Sequence, residues 1–202
     1  MMGEIMNFYK AYIKNHLSFF ILSFALWLLS AFAGIYAAFA AEGFAAQNVA
    51  GYISSVADAE KSFGAIFKNG LITNFKYTLF MCISSSFVVL LPVSLFLIGF
   101  KGFSAGFTSM FLIRLFGIKG VGASLFSVVL PLFLSLPPLG LMFVICLCHP
   151  IESFKMRKRI TSEEKGVMQL KHIGKMLVLY AVLCAISLFE AVLSPLCFNL
   201  LR

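Results

Sequence analysis

Uncharged runs punctuate this chain. Leu17 to Ala41 carries no Asp, Glu, Lys or Arg over 25 residues, enough for a tilted helix across a hydrocarbon core about 30 Å thick. Tyr77 to Phe100 is a second run, of 24 residues, with Pro92 inside it and Lys101 at its end. Gly102 to Ile113 offers only 12 residues before Arg114, whereas Gly120 to Ile151 offers 32 and contains Pro131, Pro137 and Pro138. Met176 to Leu201 is the last run, interrupted by Glu190. Between the first two runs, Val49, Tyr52, Ile53 and Val56, then Phe63, Ile66 and Phe67, recur at helical spacing, with Asp58, Glu60 and Lys61 on other faces. That pattern predicts an amphipathic segment over 42–75, lying on the membrane or on other helices. Lys68-Asn69-Gly70 reads as a break before the next span. Ala38-Phe39-Ala40 fits the small-x-small cleavage pattern, but the apolar stretch exceeds the roughly 7–15 residues of a signal core. An uncleaved first span is expected.

Parity sets the number of crossings. Basic residues favour the cytoplasmic side, so the N-terminal Lys10 and Lys14 and the basic loop 152–175 should lie together, with an even number of crossings between them. Two spans return the chain to the cytoplasm at Lys101. Residues 102–151 then cross twice, since 50 helical residues reach about 75 Å. The expected architecture is all-α: a single membrane domain over 1–202, with spans near 17–41, 77–100, 102–118, 121–149 and 176–200. Arg114 and Lys119 fall near the outer face, and segment 42–75 is extracytoplasmic. A re-entrant 102–118 segment, with the proline-rich run folding back at Pro137-Pro138, is the alternative.

Composition agrees with burial in a bilayer. Hydrophobic residues make up 61% and charged residues 12%, against roughly 45–50% and 25% in soluble domains. The net charge of +8 does not point to nucleic acid. Seven of the sixteen basic residues lie between Lys155 and Lys175 without interleaved aromatics for base stacking. The loop suits topology and anionic headgroups instead, which makes membrane lipids the expected partner. Cys82, Cys146, Cys148, Cys184 and Cys197 all fall in apolar runs. Cys146-x-Cys148 beside His149 lacks the spacing and the second cluster of a tetrahedral site, so no metal is expected.

Few residues suggest chemistry. Gly102 and Gly106 form a G-x-x-x-G pair with Gly99 one turn earlier. Small faces let helix backbones approach closely in lipid; internal packing is the expected use, and a homo-oligomer the other. Pro92, Pro131, Pro137 and Pro138 should kink or break their helices. Broken helices can frame transport sites, yet only Ser127 and Ser135 stand near these prolines in sequence. Glu190 is an acid deep in an apolar run, in the outer half of the last span, so it should be neutral, paired or turned inward; Arg114 and Lys119, assigned to the same side, are candidate partners. His16, His149 and His172 fall near predicted cytoplasmic ends. No Ser/His/Asp or Cys/His set, P-loop, dinucleotide fingerprint or H-E-x-x-H motif occurs, so neither an enzyme nor a cofactor is expected.

Lys101-Gly102, Gly106-Phe107-Thr108, Phe111-Leu112, Ser127-Val128-Val129-Leu130-Pro131, Phe189-Glu190-Ala191 and Ser194-Pro195, in that order and spacing, resemble the stage II sporulation protein M family. With the matching hydropathy the resemblance covers nearly the whole chain. It departs at Leu132 and Phe133, where relatives often carry polar residues. The resemblance implies a non-enzymatic scaffold in the mother-cell membrane of endospore formers, at the sporulation septum. Such a scaffold recruits two peptidoglycan hydrolases during forespore engulfment, a lytic glycan-strand enzyme and an amidase/endopeptidase. The alternative from another class is a transporter or permease-like subunit using the kinked helices and Glu190. Polar residues lining a common cavity would favour that alternative; a bundle filled by Phe and Leu would favour the scaffold.

Overall fold

The computed structural model describes residues 16–41, 63–156 and 162–201. It is all-helical, with no strand among the described residues. Helix α1 is Leu17–Ala40, α2 is Phe63–Ser86, α3 is Leu91–Ser124, α4 is Leu130–Met156 and α5 is Ser162–Leu201. A 3₁₀ turn, Val88–Leu90, joins α2 to α3, and a π-helical turn, Leu125–Val129, joins α3 to α4. Among the described residues, three stretches are long and apolar enough to cross a membrane: Leu17–Ala40, Leu91–Pro150 and Gly166–Leu193. The first follows the first predicted span almost to the residue. Large apolar side chains such as Leu29, Phe32 and Phe39 stand outward on α1, as on a lipid-facing helix.

The second predicted span, 77–100, is not one helix. The chain breaks at Phe87–Leu90, where the amides of Phe87 and Leu90 bond back to the Ser84 and Phe87 carbonyls. Pro92 explains the position: it has no N–H, and its ring excludes the carbonyl four residues earlier. It therefore stands in the first turn of α3 instead of kinking a span. The expected break at Lys68-Asn69-Gly70 is absent too. Gly70 is inside α2, and a side chain there would press on Ser187 of α5. Residues 63–75, expected to belong to a separate amphipathic segment, continue the same helix as 77–86; residues 42–62 lie outside the described residues, as does the centre of the basic loop.

Within α3 the chain reverses. Gly117 has φ 58° and ψ −132°, a left-handed value that suits glycine. Three residues on, Gly120 lies against the backbone of Leu112 and Ile113. Residues 91–116 therefore run one way and residues 118–156 return, with the turn beside Arg114 and Lys119. The π turn follows. Leu130 donates to the Leu125 carbonyl, five residues back, which widens the helix just before Pro131 and relieves its ring clash. Pro137 and Pro138 sit inside a continuous α4, so the chain does not fold back there.

Helix α1 lies parallel to the first leg of α3: Trp27 meets Gly102, Ala31 meets Gly106, and Gly34 meets Phe103 and Phe107. Arg114 closes the pair. Its guanidinium donates to the carbonyls of Ala38 at 2.6 Å, Ala41 at 2.9 Å and Phe39 at 3.3 Å, supplying the donors that a helix C-terminus lacks, at its negative dipole end. Helix α2 runs antiparallel to α5, with Asn74 against Ser187 and Ser85 against His172. Helix α4 is central: Met142 to Cys148 are all buried, as expected of a helix packed on every side.

Candidate functional site

Five segments line a polar cavity of about 240 Å³, far more than one water needs. Thr73, Asn74 and Tyr77 enter from α2, and Lys101, Ser104 and Thr108 from α3. Ser127 enters from the π turn, Pro131 and Ser135 from α4, and Glu190 from α5. No single stretch of sequence announces it, because α2, α3, the π turn, α4 and α5 each contribute only a few polar side chains.

Asn74 is the hub. Its Nδ2 donates to Ser187 Oγ at 2.7 Å and to the Leu183 carbonyl at 3.4 Å, while its Oδ1 accepts from Lys101 Nζ at 3.4 Å. Lys101 Nζ also stands 5.2 Å from the centre of the Tyr77 ring, within cation–π range. The Glu190 carboxylate acts electrostatically on Lys101. Hydroxyls at Ser127 and Ser135 donate to the Ala123 and Leu132 carbonyls. Each such hydroxyl keeps lone pairs that can accept from an occupant.

These placements correct two expectations. Lys101 does not mark a cytoplasmic helix end; it lies mid-helix inside the bundle. Glu190 is in electrostatic reach of Lys101, whereas Arg114 is spent on the end of α1. The polar partners that seemed scarce near the prolines are also present, supplied by α2, α3 and α5. The signal in the sequence was a lysine between two apolar stretches, read as a boundary.

Gly99, Gly102 and Gly106 do not line the cavity; they face α1, where a side chain would meet Ser30, Trp27 and Ala31 respectively. A neighbouring apolar cavity of about 160 Å³ is walled by Phe24, Trp27, Met81, Phe133 and Pro137 and shares Tyr77 and Lys101 with the first. Trp27 is 6% exposed and its indole N–H has no hydrogen-bond partner. Pro138, next to Pro137 in sequence, is buried and belongs to neither lining.

The three histidines, far apart in sequence, gather at the opposite end from Gly117. His149 and His172 stack with ring centres 3.9 Å apart, His172 Nε2 is 2.7 Å from Ser85 Oγ, and His16 Nδ1 is 3.4 Å from Cys148 Sγ. Cys146 Sγ lies 3.1 Å from Ser84 Oγ. Among the described residues no group of three or more His, Cys, Asp or Glu side chains is placed to hold a metal.

Comparison with protein-family models, curated proteins and solved structures finds no match for this chain.

Proposed function

We propose that this chain is a multi-pass membrane protein serving as a non-enzymatic scaffold, which recruits peptidoglycan hydrolases to the septal membrane during forespore engulfment. The resemblance to the stage II sporulation protein M family supports the proposal, and the fold brings residues of its separate stretches together at one place. Lys101, Thr108, Ser127, Val128, Pro131 and Glu190 all line the polar cavity. A pull-down in mild detergent from sporulating cells tests the role. Co-purification of a lytic glycan-strand enzyme and an amidase/endopeptidase is expected, and a preparation free of wall hydrolases counts against it.

The proposed membrane arrangement has five crossings: α1, α2, residues 91–116, residues 118–156 and α5. Parallel packing of α1 on the first leg of α3, and antiparallel packing of α2 on α5, support alternate directions for successive legs. The N-terminus and the 152–175 loop are then cytoplasmic, and 42–62 and Gly117 lie outside. Cysteine labelling in intact cells should modify introduced sites near 50 and 118 but not near 160. Labelling at 160 from outside would refute the orientation.

The polar cavity favours a second reading, a permease-like subunit in which this cavity takes a ligand. A bundle made only to hold its shape could be filled by Phe and Leu. Here a lysine, an acid and an asparagine share a space beside a π turn and a proline, the kind of broken helix that frames intramembrane sites.

A further inference from the structure

The two cavities differ in character yet touch. Tyr77 and Lys101 belong to both linings, so the apolar chamber and the polar one adjoin at this side-chain pair. In the polar chamber Lys101 and Glu190 oppose one another in charge, so an occupant there needs hydrogen-bonding groups but no net charge. The apolar chamber holds the Trp27 indole, buried and with its N–H unpartnered. Buried donors are rarely left so. The walls around Trp27 are mainly Phe24, Met81, Phe133 and Leu136, with Ser23, Tyr77 and Lys101 as the polar members, so an apolar occupant with one acceptor suits the chamber better than water, which needs two or more polar partners. A carbonyl on an otherwise apolar chain would meet the requirement.

We propose that the joined cavities are one binding site for a single-chain amphiphile of the monoacyl-lipid class, with a head carrying no net charge. The acyl body lies along Phe24, Phe133 and Leu136, its carbonyl accepts from Trp27 Nε1, and its head enters the chamber of Lys101, Glu190 and Asn74. The ligand approaches through the bilayer in which the helices stand, so no aqueous path is required. This site is independent of whether the chain recruits partners or moves a solute.

Trp27 is the single tryptophan of the chain, so its fluorescence reports the apolar chamber alone. The full-length protein in detergent is titrated with lysophosphatidylcholine brominated along its acyl chain. Saturable quenching is expected, reversed by the unbrominated lipid, and a brominated fatty acid should quench more weakly because its anionic head adds a charge to a chamber that Lys101 and Glu190 already balance. Lys101→Met should raise the half-saturating concentration about tenfold, as for a lost hydrogen bond to a charged group. Ser104→Leu narrows the head chamber from an exposed position and should weaken binding without removing a buried charge. Quenching that rises linearly and resists competition, or that is unchanged in Ser104→Leu, overturns the proposal. Preference for the fatty acid overturns the assignment of the head.

Discussion

Replacing Gly106 with leucine should force α1 and α3 apart and sharply lower the melting temperature of the detergent-solubilised protein. The reason lies at the first added atom. A Cβ on Gly106 would collide with the backbone of Ala31, including its carbonyl, and a backbone cannot rotate aside as a side chain does. Overpacking typically costs about 1–3 kcal/mol; this contact is backbone against backbone, so about 3 kcal/mol or more is expected. In lipid, close helix approach is itself the source of association, and separation along this face also disturbs Trp27 against Gly102 and Arg114 on the end of α1. Gly99→Ala should be milder, because its Cβ meets the Ser30 hydroxyl, which can turn. Gly174→Ala is the control: nothing lies within 4 Å, and alanine favours a helix over glycine by roughly 0.5–1 kcal/mol. Thermal melts of the three variants beside wild type decide the matter. A Gly106→Leu protein that melts normally and recovers partners normally would show that α1 is not seated on this face.

Glu190→Ala should be among the most damaging single changes in the bundle. It removes the carboxylate that opposes Lys101 and leaves the ammonium with Asn74 and the Tyr77 ring. A charge left without its opposing partner away from water is costly, and the half-buried position of Glu190 moderates the loss; a melting temperature below wild type is expected. Glu190→Gln keeps shape and hydrogen bonding and should retain most stability and, for a scaffold, most partner recruitment. The double variant Lys101→Met, Glu190→Leu separates structure from function. Replacing both charges by apolar groups of similar volume is often neutral or stabilising, so its melting temperature should return close to wild type. If recruitment and engulfment return with it, the pair serves only to hold the bundle. If stability returns but function does not, the cavity itself is used and the permease-like reading gains. Should Glu190→Gln be as harmful as Glu190→Ala while both accumulate normally in the membrane, the charge is required and a hydrogen-bonded acid is excluded.

Some of this was legible in the residues themselves. The run Leu17 to Ala41 announced α1 because an uncharged stretch of that length has few fates besides a span. Gly99, Gly102 and Gly106 announced a close helix contact, since small residues one turn apart have no other packing advantage in lipid. Pro131 announced a disturbed helix, and the π turn before it is that disturbance. Each of these follows from local chemistry that neighbours in sequence supply.

The cavity was not legible, and Lys101 shows why. Hydropathy treats a lysine as the end of a span because an unpaired ammonium in hydrocarbon is costly. That cost falls when an acceptor, an aromatic face and a carboxylate surround it, and here they come from Asn74, Tyr77 and Glu190, on two other helices. Once Lys101 is taken as a boundary, the apolar stretch 77–100 is drawn across the break at Phe87–Leu90, and α2 loses residues 63–76. The helix from Leu91 is then cut in two at Lys101. Gly117 is similarly mute in sequence, since a glycine in an apolar run is as often helical as left-handed. Local pattern determined that this chain is helical and suited to a membrane, and where two of its backbones touch. Only the tertiary arrangement decided which polar residues face one another, because the price of burying a charge is set by what lies across from it.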